Sequence, residues 1–398
     1  MLADTYESLR REYMLKEIPL SQLTVGMFVE CYGDGSFHNP FHHVRDYVHS
    51  PARIEEYKAL GVPMVTIDEA KTKKACTQAS PGAADPPFSF QGPGAARRVY
   101  SQCLSHVMDV MHKVRQGLHV DFTQSFEAVD VLMTGVEENP AHMNLLAKLH
   151  HYDDYTFRHS LNVSLLSLIF GGHLDLPRDV LRRLAFAGLY HDVGKFKIPL
   201  EILNKPGRLS EKEFEVMKHH SRIGYELLKS HPGISEDILY GVLHHHERYD
   251  GQGYPRQLKA DEKDLFARIL TIVDIFDALT SDRAYKKAYT PHDSIKSMFS
   301  WRNESFHPGL LEKFVECFGV FPPSSFVRLT DQTCAVVVEA RPESPARPLV
   351  KVCFSKKLVP QLPVFIDLAS TPKAADGGLD IEACLDPRAL GIVIERFL

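Results

Sequence analysis

Tyr190-His191-Asp192-Val193-Gly194-Lys195 closes an apolar run, Leu181-Arg182-Arg183-Leu184-Ala185-Phe186-Ala187-Gly188-Leu189. Apolar residues cover more than one face of that run, so it reads as a buried helix. A His and an ionisable Asp at a buried helix end are costly to desolvate unless something compensates. A metal ion does so, because it binds neutral imidazole and carboxylate together. Lys195 falls one helical turn after His191 and three residues after Asp192, a spacing that lets it face the same cavity. The pair by itself equally suits a capped helix end carrying a surface histidine.

Composition narrows the class. The chain has 398 residues, enough for two or three domains, with 44% hydrophobic and 24% charged residues, as in ordinary globular proteins. Net charge is −5 and no basic block occurs, which argues against a nucleic-acid polymer as partner. A small anionic ligand needs only a local basic patch. Seven Cys, an odd number with no CxxC pair, point to free thiols in a reducing compartment. The amino terminus lacks the apolar segment of a signal peptide, and no stretch of 18 apolar residues predicts a membrane span, so a cytoplasmic location is expected. Twelve of the 21 His fall from His142 to His246. Such crowding favours a metal site.

The chain divides by texture into a mainly α protein with small flanking modules. Residues 1–77 read as a small α+β domain. A strand is expected near Val25, Met27 and Val29, a helix from Ser50-Pro51 to Gly61, and a second strand over 62–67. His38, His42, His43 and His49 match no metal-ligand spacing and read as structural or solvated. Residues 78–94 are a Pro/Gly linker. Residues 95–140 form a helical connector with helices over 95–115 and 122–136. The stripe Val99, Cys103, Val107, Val110, Met111 and Val114 suits a signalling or homodimer helix, or an ordinary helix packed on the next domain. Residues 141–322 predict helices near 142–151, 156–171, 177–191, 211–230, 234–247, 261–280 and 291–300, the fourth opened by a Ser210/Glu213 capping box. Pro322-Pro323 begins a β-rich module, 323–398, with strands at 326–329, 333–340, 349–354, 364–368 and 392–394 and a hairpin turn at Asp331-Gln332.

Within the helical domain, imidazole and carboxylate donors recur on separate helices: His159, His191, Asp192, His220, His245, His246 and Asp274. No thiolate accompanies them, so Fe, Mn, Ni, Zn or Cu suit the set better than Mg or Ca. Five His and two Asp exceed what one ion needs. Two ions bridged by one carboxylate use them all, an arrangement that activates water for in-line phosphoryl displacement.

Residues 153–287 resemble the HD-GYP family of the HD phosphohydrolases. The motifs are His191-Asp192-Val193-Gly194-Lys195, Ile202-Leu203-Asn204-Lys205-Pro206-Gly207, the stretch from His245-His246-Glu247 to Gly253-Tyr254-Pro255, and the stretch from Asp274 to Tyr285. The resemblance implies a helical HD-superfamily fold and hydrolysis of cyclic di-GMP to pGpG, and in many members to GMP. It places His159, His191, Asp192 and Asp274 on one divalent metal, and His220, His245 and His246 on a second, with Asp192 bridging. Iron or manganese is expected. It makes Lys195 the stabiliser of phosphate charge, assigns Arg283 and Lys286 to ligand contact, and links the Gly253-Tyr254-Pro255 loop to GGDEF-type cyclase partners. Some members carry a Glu four residues before the first His that helps hold a third metal. Tyr155 stands there, which favours two, though Asp153 and Asp154 are close. Register selects His220 over His219 and His245-His246 over His244. Residues 1–70 and 325–398 are more weakly similar to modules found beside HD-GYP domains. The rival expectations are a cyclic GMP-AMP phosphodiesterase and a non-catalytic cyclic-dinucleotide sensor or cyclase-docking module; the complete ligand set argues against the latter.

Overall fold

The structure is a computed structural model that describes residues 15–25, 27–33, 42–48, 54, 57–58, 64–68, 72, 95–138, 143, 155–259, 262, 264–281 and 287–392. Two compact units divide the chain: residues 1–87 with 91–94, and residues 88–90 with 95–398.

The first unit contains an antiparallel sheet of β1 (Leu15–Pro19), β2 (Phe28–Gly33), β3 (His42–Tyr47) and β4 (Met64–Asp68), in the order β1-β4-β2-β3. Ile18, Val29, Val65 and Ile67 bury its inner face with Leu20, Leu23, Val48 and Tyr57. The strand expected from Val25 begins later. Met27 N–H bonds Thr24 O at 3.2 Å, closing a turn that leaves Val25 47% exposed. β1 and β3 carry charged and polar residues at alternating and adjacent positions, a weak strand pattern that only pairing with distant partners completes. Of the helix expected over 50–61, residues 54, 57 and 58 are helical; Ser50, Pro51 and Gly61 lie outside the described residues, as do His38, His49 and the 78–94 linker.

The second unit is built on helices: α1 (Ala95–Gln116), α2 (Thr123–Glu138), α3 (Tyr155–His173), α4 (Arg178–Tyr190), the single turn α5 (Leu200–Leu203), α6 (Glu211–Lys229), α7 (Glu236–His244), α8 (Leu265–Thr280), α9 (Pro291–Ser300) and α10 (Leu310–Phe318). Their starts follow cap chemistry. Ser210 and Glu213 form the expected capping box. Asp264 accepts from Ala267 N–H and starts α8 at 265 rather than 261. Thr290 caps α9 ahead of Pro291. α7 ends at His244, so His245 and His246 sit on the turn beyond it rather than inside a helix running to 247. α10 was not expected from sequence, although Leu311, Phe314, Val315 and Phe318 make a buried stripe between Gly309 and Gly319. Of the helix expected at 142–151, only Met143 is described.

α8 is apolar nearly all round and runs through the core against α3, α4 and α7. α4 is buried without interruption from Leu184 to Tyr190, as the opening run predicts. Arg182 and Arg183 turn outward to Asp130 and to Asp179 and Asp237. The α1 stripe, Val99 to Val114, is buried in this same core, the packing reading of the two its pattern allowed.

The chain ends on an antiparallel sheet ordered β8-β7-β6-β5-β9: β5 (Phe326–Leu329), β6 (Cys334–Glu339), β7 (Leu349–Phe354), β8 (Pro360–Asp367) and β9 (Ile381–Leu385). Of the strand expected over 392–394, only Ile392 is described. Its N–H bonds Pro387 O and closes a 3-10 turn, with Gly391 at φ 67°. β9 takes the place beside β5, a non-local pairing that a five-residue stretch does not announce.

Candidate metal centre

Five segments converge on one buried point. α3 supplies His159, the end of α4 supplies His191 and Asp192, and the middle of α6 supplies His220. The turn after α7 supplies His245 and His246, and α8 supplies Asp274. Gly194 makes the convergence possible. A Cβ there would lie 1.9 Å from His220 O, so only glycine lets the Val193–Lys197 turn rest on α6.

Asp192 faces two ways. Its Oδ2 lies 3.3 Å from His191 Nε2 and 3.6 Å from His159 Nε2. Its Oδ1 lies 3.3 Å from His220 Nε2 and 3.8 Å from His245 Nε2. Asp274 Oδ1 stands 3.0 Å from His159 Nε2 and 3.9 Å from His191 Nε2, while its Oδ2 is 4.0 Å from His246 Nδ1. Donor atoms sharing an ion at about 2.1 Å lie roughly 3 Å apart, which these separations approach.

The hydrogen bonds assign the free nitrogens. Nδ1 of His191, His220 and His245 donates to the carbonyls of Gly188, Met217 and Val242 at 2.8, 2.7 and 2.7 Å. His159 Nδ1 donates to Asp277 Oδ2 at 2.8 Å. In the neutral rings each Nε2 is then an unprotonated lone pair aimed inward, the usual outer arrangement of metal-ligating histidines. Nε2 of His220 and His245 face each other at 3.4 Å, two acceptors with no proton between them. His191 Nε2 and Asp192 Oδ1 are buried without a hydrogen-bond partner among the described residues. A cation satisfies all of these atoms at once, so the residues fit a metal site.

Electrostatics agree. Burial opposes ionisation of Asp192, but Lys195 and His191 hold its carboxyl well below the usual range. Asp274 is likewise ionised against burial by His159. Burial, then His246 and its other ring neighbours, keeps His245 neutral; burial and His220 bring His246 to about 3. Burial disfavours charge on His159, yet Asp274 and Asp277 raise it to about 9. Without an ion, this knot of carboxylates draws its positive charge from a proton on His159 and from Lys195, whose Nζ pairs with Asp192 Oδ2. A divalent cation held by these residues would supply that charge instead.

A cleft of about 740 Å³ opens over His245 and His246, large enough for a small-molecule ligand. Lys218, Arg222, Arg248 and Arg256 line it with Phe214 and Tyr254. Arg248 is committed to Asp250 and Glu304, and Lys218 to Glu215. Arg222 and Arg256 are exposed and form no ion pair with a described residue. Gly253 is buried where a Cβ would meet Arg248 N at 2.3 Å and His246 O at 2.6 Å. Tyr254 therefore turns inward, its ring 4.7 Å from that of His246, and Pro255 stays exposed. Buried Glu247 anchors the loop by accepting from Arg256 N–H at 2.6 Å and Leu258 N–H at 3.0 Å.

The structure thus gathers His159, His191, Asp192, His220, His245, His246 and Asp274, with Lys195 beside them. Arg283, Lys286, Asp153 and Asp154 lie outside the described residues. His219 is exposed, and His244 is buried beside Asp264 at 3.5 Å, both off the centre. Sequence reading missed Asp277, Glu247 and Arg222. Asp277 follows Asp274 by three residues on a helix that is otherwise apolar, which was a usable signal. Arg222 and Glu247 gave none before the cleft was visible.

Residues 136–310 match the HD domain family, and residues 15–125 match a domain of unknown function, DUF3391. The chain is 33% identical over 358 residues to a cyclic di-GMP phosphodiesterase of Pseudomonas aeruginosa, covering 86% of each chain. It is 44% identical over 138 residues to the cyclic di-GMP phosphodiesterase response regulator RpfG of Xanthomonas campestris, covering 34% of this chain and 36% of that one. It is 34% identical over 192 residues to a 3'3'-cGAMP-specific phosphodiesterase of Vibrio cholerae, covering 48% and 43%. Among the described residues no helix is long and apolar enough to cross a membrane. With its HD motif, its helical fold and a relative matched along most of both lengths, the chain belongs to the HD-GYP phosphodiesterases of the HD domain family.

Proposed function

We propose that this chain hydrolyses cyclic di-GMP to pGpG at a dinuclear centre. His159, His191, Asp192 and Asp274 would hold one divalent ion, and His220, His245 and His246 the second, with Asp192 bridging. The observation that carries the reading is Asp192, whose two oxygens turn to two different pairs of histidine Nε2 atoms. The donor set, imidazole and carboxylate with no sulfur, suits Fe, Mn, Ni, Zn or Cu, and of these iron or manganese is what the family resemblance implies. Bound there, two ions would lower the pKa of water and clamp the phosphoryl oxygens.

The chain's own residues do the rest. Lys195 stands at the edge of the centre with its side chain 25% exposed, placed to offset charge that develops on phosphate. Arg222 and Arg256 give the cleft uncommitted positive charge toward an anionic ligand. Tyr254 and Phe214 offer aromatic faces at 6.3 Å from one another beside that charge. A GGDEF-type partner would meet the exposed Gln252 and Pro255, since Tyr254 is turned into the cleft.

A cyclic GMP-AMP substrate is the second reading, motivated by the Vibrio cholerae relative. The test is anaerobic loading with Fe(II) or Mn(II), metal analysis, and parallel assays on cyclic di-GMP and 3'3'-cGAMP. About two metals per chain and release of pGpG or GMP are expected, and which of them accumulates settles the product. Turnover confined to cGAMP replaces the substrate. No metal under any loading removes the catalytic reading and leaves a docking or sensing module.

A further inference from the structure

His159 is held from outside the centre by a buried chain of polar side chains that ends on α1. Tyr100 O–H donates to Asn162 Oδ1 at 2.7 Å. Asn162 Nδ2 donates to Asp277 Oδ1 at 3.1 Å, and His159 Nδ1 donates to Asp277 Oδ2 at 2.8 Å. Tyr100, Asn162, Asp277 and His159 are all buried. The direction of the chain is fixed from Asp277, whose carboxylate can only accept, so Asn162 Nδ2 donates to it and Asn162 Oδ1 accepts from the Tyr100 hydroxyl. Burial keeps Tyr100 a neutral donor, its pKa pushed far above that of an ordinary phenol.

We propose that Tyr100, Asn162 and Asp277 form a positioning relay through which α1 sets the His159 ring toward its metal. The proposal rests on the metal-centre reading above. Asn162 holds the plane of the Asp277 carboxylate, and Asp277 fixes which His159 nitrogen faces inward. Tyr100 orients the Asn162 amide, whose two ends are otherwise interchangeable. A second thread leaves the same helix: His106 Nε2 meets Ser125 Oγ at 2.9 Å, and Ser125 Oγ meets Tyr190 OH at 2.7 Å, one residue before His191. The match to DUF3391 runs to residue 125 and includes all of α1 and Ser125. The region shared with that domain therefore reaches the metal ligands by hydrogen bonds, and a displacement of α1 would be felt as a change in metal hold.

The test is Mn(II) binding to the full chain, stripped of metal, followed by equilibrium dialysis alongside Co(II) absorption spectra. Asn162→Leu should weaken one of the two sites by about 10-fold, and Tyr100→Phe by about 3-fold to 10-fold. The double variant should bind no more weakly than Asn162→Leu alone, because both substitutions break one chain. Both should shift the Co(II) spectrum. Val107→Ala, a packing change on the same helix, should lower the Tm and leave Mn(II) affinity and the spectrum unchanged. Wild-type affinity and spectrum in Tyr100→Phe overturn the relay, as does an equal loss in Val107→Ala. A wild-type chain that binds no Mn(II) overturns the metal-centre reading itself, and the relay with it.

Discussion

Gly194→Ala is the sharpest test of how the centre is assembled. A Cβ at Gly194 would lie 1.9 Å from His220 O, 2.7 Å from Gly224 N and 2.8 Å from His220 C, all backbone atoms of α6. Real contacts begin near 3.0 Å, so the turn and the helix must part by about 1 Å. Asp192 stands two residues before Gly194 and spans to His220 Nε2 at 3.3 Å. The displacement therefore falls on the bridge between the two ligand groups. Misplacement of that size costs about 100-fold in rate, and the forced contact about 1–3 kcal/mol of stability. The assay is metal content and phosphodiester turnover in the purified variant, with Tm as the fold control. On the proposed assignment, the ion given to His220, His245 and His246 should be lost first. Gly172→Ala serves as contrast, since nothing lies within 4 Å of its added Cβ on the exposed face of α3. It should raise stability by about 0.5–1 kcal/mol and leave metal binding alone. A Gly194→Ala enzyme with both metals and turnover within about twofold of wild type would refute the geometry.

Other substitutions separate the parts. His220→Ala should halve the bound metal while His159 and His191 keep theirs, whereas Asp192→Ala should abolish both; equal losses from the two would count against a bridging carboxylate. Arg222→Ala should raise KM by about 10-fold with kcat little changed, since the group lines the cleft, is exposed and forms no ion pair with a described residue; an unchanged KM assigns the anion to other residues. Glu247→Gln replaces a carboxylate that accepts from two backbone N–H groups, so amide exchange at Arg256 and Leu258 should accelerate in line with a loss of about 1–3 kcal/mol. Lys205 and the Ser210 backbone hold Glu213 down at about 2. Its contribution to the start of α6 is complete above the ordinary glutamate pKa and fades as pH falls toward 2, so Glu213→Gln should flatten the acid limb of Tm against pH.

Local chemistry made much of this molecule legible in its sequence. The helix start at Ser210 is legible directly from a capping box contained within three residues, and Asp264 and Thr290 start their helices by the same local chemistry, although the sequence pattern opens α8 at 261. The run ahead of His191 announced a buried helix, and its burial from Leu184 to Tyr190 is complete. What failed was non-local. β1, β3 and β9 are short stretches stabilised by partners far along the chain. α10 was missed although its apolar stripe was readable.

For the site, the sequence by itself determined the inventory: five His and two Asp of metal-binding type, one Lys beside them, in motifs that name a family. Only the tertiary structure decided the geometry. It turned the two oxygens of Asp192 to different histidines, spent Nδ1 of His191, His220 and His245 on carbonyls of their own helices, and placed Asp277, Asn162 and Tyr100 behind His159. The physical reason is range. A cap, a helix or an apolar run is settled by neighbours within a few residues, whereas a buried charge is tolerated only where groups from separate helices meet to compensate it.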